Sequence, residues 1–186
     1  MAAPDSGNVL VGKPKVTGGV LAGPLTATLP TNASTAVGGT FVGLGYVSDA
    51  GLTQTIATET TNIVAWGGST VRVVKTSHDV SYAVTLIETN PATLAEFYGI
   101  ENVDTVDELT TVKINENGNG RRRYVFDMID GDFNIRVVVP NGEVTETGDI
   151  TYVDGEPIGY EITISAYPDP SGNKAYLYLQ TPDLTP

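Results

Sequence analysis

The 186-residue sequence has no cysteine, one histidine, one tryptophan and only ten lysines and arginines. Without cysteine there is no disulfide, no thiolate nucleophile and no cysteine-ligated zinc. With His78 as the only histidine, any metal site would rest almost wholly on carboxylates. Ten cations against 22 acids, a net charge of −12, exclude a protein built to grip nucleic acid, because phosphate contacts take clustered Lys and Arg. No stretch approaches the roughly 18 apolar residues of a membrane span. The N-terminus places an acid and no base before its first apolar run, and no secretory signal is expected there.

What is present favours strands. Thr, Val, Ile and Tyr are frequent, while 21 Gly and 11 Pro punctuate the chain without reaching the level of general disorder. A chain of this length buries roughly 70% of its unfolded surface, so it needs no covalent staple. The acids are unevenly spread: residues 1–100 carry six acids and four bases, residues 101–186 sixteen and six. An acidic half of this kind is a solvated surface, or one that repels polyanions and steers a basic partner.

Residues 1–40 are expected to form an extended N-terminal arm, residues 41–180 a β-sandwich domain, and residues 181–186 a short tail. The arm is small, uncharged and rich in Gly, Pro and Thr, yet Val9, Leu10, Val11, Val20 and Leu21 are costly to leave in water. It is either a loose leader or a strap lying across its own domain or a neighbour. Beyond it, FVGLGYV reads as a strand, SDAG as a turn and LTQTIATET as a half-buried strand. TVRVVKT and DVSYAVTLIET read as two strands joined near Ser77-His78. NPATLAEFYG is the one clear helix, about 91–98, with Asn90 as cap, Pro91 in the first turn and Gly99 at the exit. Leu94, Phe97 and Tyr98 share a face that must dock on a sheet. ENVDTVDE reads as a solvated connection and ENGNG as a hairpin turn. Asp130-Gly131 marks a second hairpin and Asn141-Gly142 a further turn. GYEITISAY and NKAYLYLQ complete eight to ten strands. The expected fold class is mainly β: two packed antiparallel sheets, a sandwich or curled barrel, with one short flanking α-helix.

Catalytic patterns fail on inspection. No phosphate loop follows the glycines at 38–45, and Val71 stands where a nucleophile elbow needs glycine. His78 between Ser77 and Asp79 looks triad-like, but neighbours in a strand point to opposite faces. Asp127, Asp130, Asp132 and Asn134 resemble a calcium loop in composition only, because Ile135 occupies the glycine position. No catalytic residue, metal site or cofactor is expected. The run Arg121, Arg122, Arg123 is the single basic cluster, and alternation places Arg121 and Arg123 on one face. It reads as solvated surface or as a docking patch for acids on another copy. Trp66, followed by Gly67 and Gly68, stacks on a sugar, fills a core or grips a neighbouring chain, and each role belongs to a different kind of protein.

Seven pieces in order narrow these readings: NVLVGKPKVTGGV, LPTNASTA, FVGLGYVSDAGLT, IVAWGGSTV, TLIETNPATLAEFYG, VVVPNGEVTETGDITY and GYEITISAYPD. Together, from about residue 8 to residue 170, they resemble the major tail (tail tube) protein of long non-contractile-tailed bacteriophages. The resemblance implies a non-enzymatic virion protein that self-assembles into rings, usually of six subunits, stacked as a tube for DNA delivery. Its implied partners are itself, a tape-measure protein, tail terminator and tail-tip proteins, and viral DNA passing through the lumen without specific binding. No membrane partner is implied, and assembly is expected in the host bacterial cytoplasm. Under this reading residues 49–70 form a hairpin or loop reaching the next ring, and the arm is a strap. Arg121 to Arg123 face acids of a neighbour, and Glu59, Asp127 and Asp132 are candidate lumen acids. Trp66 then closes the base of the hairpin against the sheet, or anchors a neighbouring subunit. A tail-tip protein of the same fold, or a monomeric carbohydrate-binding sandwich, are the alternatives.

Overall fold

The computed structural model describes residue 7, residues 9–15 and residues 19–180; the tail expected at 181–186 lies outside them. Along the chain run β1 (Lys13–Pro14), β2 (Val20–Gly23), β3 (Val42–Gly43), β4 (Val47–Val64) and β5 (Thr70–Leu86), then α1 (Pro91–Tyr98). There follow β6 (Val103–Val106), β7 (Leu109–Val112), β8 (Arg121–Asp130), β9 (Phe133–Thr147), β10 (Tyr160–Ala166) and β11 (Tyr176–Gln180). The fold is mainly β with one short helix. One large antiparallel sheet has the order β3-β2-β8-β9-β10-β5-β4, with β1 added to β8 and β11 to β9, and β6-β7 form a small second sheet.

The large sheet does not close into a barrel, since β3 and β4 end it. It curls instead. The rings of Tyr82 on β5 and Phe126 on β8 stack at 5.3 Å although β9 and β10 separate their strands in the sheet. The concave side holds the main core: Val80, Tyr82, Val84 and Leu86 alternate inward from β5, and Tyr160, Ile162, Ile164 and Ala166 from β10. Tyr124 and Phe126 of β8 and Val137 and Val139 of β9 meet them. This period-two pattern on facing strands is what fills a sandwich interior.

The convex side of β8 and β9 is also covered. Val125 and Val138 pack with Ala27 and Phe41 from the connection between β2 and β3. The segment expected to be an arm is thus partly domain: β2 pairs with β8, Val20 and Ala22 lie in the main core, and residues 24–41 form a lid on the opposite face. Arg136 fastens that lid. Its guanidinium holds both carboxylate oxygens of Asp127, with Nη2 donating to Oδ2 at 2.8 Å, and Nη1 donates to the carbonyls of Asn32 and Thr35 at 2.9 and 2.8 Å.

The helix starts and stops as its residues predict. Asn90 accepts a 2.9 Å bond from the Thr93 amide, Pro91 opens the first turn, and Gly99 closes the last. Leu94, Phe97 and Tyr98 pack on the main core. Phe97 meets Tyr160 edge to face at 5.6 Å.

Local expectations fail where pairing partners decide. The strand at 70–86 is continuous through Ser77-His78, because β4 pairs with it along its whole length. SDAG is not a turn but a bulge: Val47 pairs with Leu86 and Leu52 with Val84, leaving residues 48–51 opposite one residue. ENVDTVDE contributes β6, which pairs with β7, so ENGNG does not join β7 to β8 in a hairpin. Asn141-Gly142 lies inside β9 rather than at a turn. The glycine is needed there because a Cβ would come within 2.8 Å of the Tyr124 ring.

Candidate assembly surface

The β4–β5 hairpin has two unlike halves. Near the body, β5 buries every second residue from Val80 to Leu86. Beyond Val80 the strand stays rich in β-branched residues suited to a pleated strand, but the apolar alternation stops and no residue from 57 to 79 is buried. From Ile56 to the tip this outer hairpin extends roughly 30 Å at strand rise. Ile56, Ile63, Val64, Val71 and Val73 are all exposed on it. A two-stranded hairpin with no third strand is marginally stable in water, and an exposed apolar surface of this extent marks an interaction site. The outer edge of β4 also has no strand beside it among the described residues, leaving backbone groups open to another chain.

At the tip, Gly68 donates to the Ala65 carbonyl at 3.0 Å and Ala65 to the Ser69 carbonyl at 2.8 Å. Gly67 and Gly68 sit at φ 108° and 91°, which side chains avoid, and so make the reversal. Trp66 is 107% exposed. The expectation that it closes the hairpin base against the sheet is therefore overturned: it is at the opposite end, touching no core. Its position in sequence beside two glycines signals a turn equally well at either place, and only the length of the paired strands distinguishes them.

The three arginines, by contrast, lie on the body and diverge. Arg121 places its guanidinium 3.7 Å from the Tyr167 ring centre, with Glu143 at 4.0 Å. Arg122 approaches the carboxylate of Glu96 at 3.4 Å. Arg123 donates to the Ala27 carbonyl and so ties down the lid. Arg122 and Arg123 are thus occupied within the chain, and Arg121 is the most exposed of the run. The structure does not bring these residues together with Trp66. Of the candidate lumen acids, Glu59 and Asp132 are exposed, but Asp127 is 5% exposed and paired with Arg136, which removes it from any surface. His78 is exposed on β5, its carbonyl accepting from Lys174.

Sequence reasoning missed Glu96. It sits on the buried side of α1, accepting a 2.6 Å bond from the Tyr124 hydroxyl and facing Arg122. Burial raises its carboxyl above the usual range, and the Arg122 charge and the Tyr124 bond offset this only partly. Burial likewise raises the Tyr124 hydroxyl, with the Glu96 carboxylate beside it adding to the effect. Position i+3 from Thr93 on an amphipathic helix gave a weak signal, masked by the ordinary habit of Glu to face solvent.

Among the described residues, the curled sheet leaves one hairpin unpartnered and its end strands open, with the buried charges spent on internal ties. The family is shown directly: a model of the phage tail tube protein family matches residues 2–184, and the chain belongs to that family. It is a structural component of a bacteriophage tail. Among solved structures, it is similar to a chain of the anti-feeding prophage tube-terminating cap, at 10% identity and a TM-score of 0.46, covering 93% of this chain and 96% of that one. It is also similar to a chain of the native gene transfer agent virion, at 9% identity and a TM-score of 0.41, covering 76% and 89%. No curated protein matches it. No helix among the described residues is long and apolar enough to cross a membrane.

Proposed function

We propose that the chain is the repeating subunit of the tail tube, assembling into stacked, hexameric rings whose lumen conducts DNA. The observation that carries this is the outer β4–β5 hairpin, whose exposed apolar residues and open edge require a partner chain. Neighbouring subunits join sheets within a ring, and the hairpin reaches an adjacent ring. Its other partners are a tape-measure protein inside the tube and terminator and tip proteins at its ends. The acidic surplus lines the channel, so DNA slides without adhering. Subunits assemble in the host cytoplasm, and the chain performs no catalysis.

Negative-stain electron microscopy of the purified protein at rising concentration, beside its mass from light scattering, tests this. Rings or hollow tubes of uniform diameter are expected. A particle that remains monomeric even with tail-tip components added overturns the tube reading.

A further inference from the structure

Where the hairpin leaves the body, the bulge Ser48–Leu52 overhangs an open cavity of about 250 Å³ bounded also by Gly12, Gly19, Phe126 and Met128. Its walls are mainly apolar, which suits a large aromatic side chain. We propose that this cavity receives Trp66 from a second copy of the chain, an inference that rests on the tube reading and gives its inter-subunit contact a specific lock and key.

Trp66 of the same copy cannot fill it. Leu52 and Trp66 are fourteen positions apart along the hairpin, roughly 45 Å at strand rise. Each copy therefore has its key at one end of the hairpin and its lock at the other. A contact of this kind is head-to-tail, and it leaves the growing assembly with one free tip and one free cavity, so it propagates.

Charge favours the same occupant. Residues 60–78, the distal part of the outer hairpin beyond Glu59 and Asp79, contain Arg72 and Lys75 and no acid. The net charge of −12 thus combines +2 on this segment with −14 on the rest of the chain. Asp49 stands exposed at the cavity. A basic tip approaching an acidic body is steered toward it.

The chain offers clean probes, having one Trp and no Cys. Ser69→Cys and Asp49→Cys chains are mixed, allowed to associate, and treated with a short bis-maleimide. Trp66 emission and its quenching by iodide are followed in the unsubstituted protein, with mass by light scattering. Docking predicts a blue shift and loss of quenching on association, and a crosslink joining residue 69 of one copy to residue 49 of the next. Trp66→Ala, at a fully exposed position, is expected to leave the fold intact and weaken association by about 30-fold or more. Association with Trp66 still quenchable, without the 69–49 crosslink, or undiminished in Trp66→Ala overturns the docking and leaves the tube reading standing. No association at the highest attainable concentration, with tip components present, overturns both.

Discussion

Replacing Asp127 with alanine leaves the Arg136 guanidinium inside the protein without its counter-charge. Arg136 is 2% exposed and Asp127 5%, and the pair makes two charge-assisted hydrogen bonds in a fork. Only the Nη1 bonds to the carbonyls of Asn32 and Thr35 survive. A buried pair broken from one side costs about 3–5 kcal/mol, because the remaining charge has lost both its partner and its water. For a domain of this size each kcal/mol is worth about 2–4 °C in Tm, so a fall of roughly 6–20 °C is expected. The control is Asp79→Ala, which removes the Lys174–Asp79 pair at 3.3 Å, where the carboxylate side chain is 70% exposed; an exposed pair of that kind is worth at most about 1 kcal/mol. Urea denaturation of the dilute protein compares the two, since a shift of midpoint at constant slope reads stability alone. Hydrogen exchange supplies the local signature: amides of residues 32–35 should exchange faster in Asp127→Ala, as the lid is held through Arg136. If Asp127→Ala costs no more than Asp79→Ala, the reasoning that this ion pair fastens the lid is wrong.

Two further outcomes follow from the helix and its buried acid. Since the folded state holds the Glu96 proton to higher pH than the unfolded chain, folding stability falls as pH rises from the ordinary carboxylate range through the raised folded pKa, and levels above it. Glu96→Gln removes that contribution, so the stability difference, parent minus variant, should decline across this window; parallel pH profiles would refute it. Asn90→Ala deletes the side-chain cap on the Thr93 amide and should cost about 1 kcal/mol, measured by thermal unfolding. An unchanged Tm would show that packing of Leu94 and Phe97 alone sets the helix start.

Much of the architecture is written in local chemistry. The helix at 91–98 was legible because a cap, a proline and a glycine each act within a few residues of their own position. The hairpin at Asp130-Gly131 was legible for the same reason: Gly131, at φ 57°, makes the reversal itself. Strand content was legible in β-branched composition, and the lack of Cys and of basic clusters excluded whole classes of chemistry. Pairing was not legible. Asn141-Gly142 carries a turn signal but lies in a strand, because Tyr124 on β8 needs the space that only glycine leaves. The acids 101–108 look solvated, yet they include a strand whose partner comes just after.

The candidate surface divides in the same way. Sequence alone determined that LTQTIATET is a strand, that Trp66 adjoins a turn, and that the acids gather in residues 101–186. Only the tertiary structure decided that β4 and β5 outrun the sheet, placing Trp66 at a free tip instead of against a core. It alone put Asp127 inside, Glu96 beneath the helix and the lid over the convex face. Hydrogen-bond capacity and side-chain polarity are properties of single residues, whereas burial depends on which distant strand arrives to cover them.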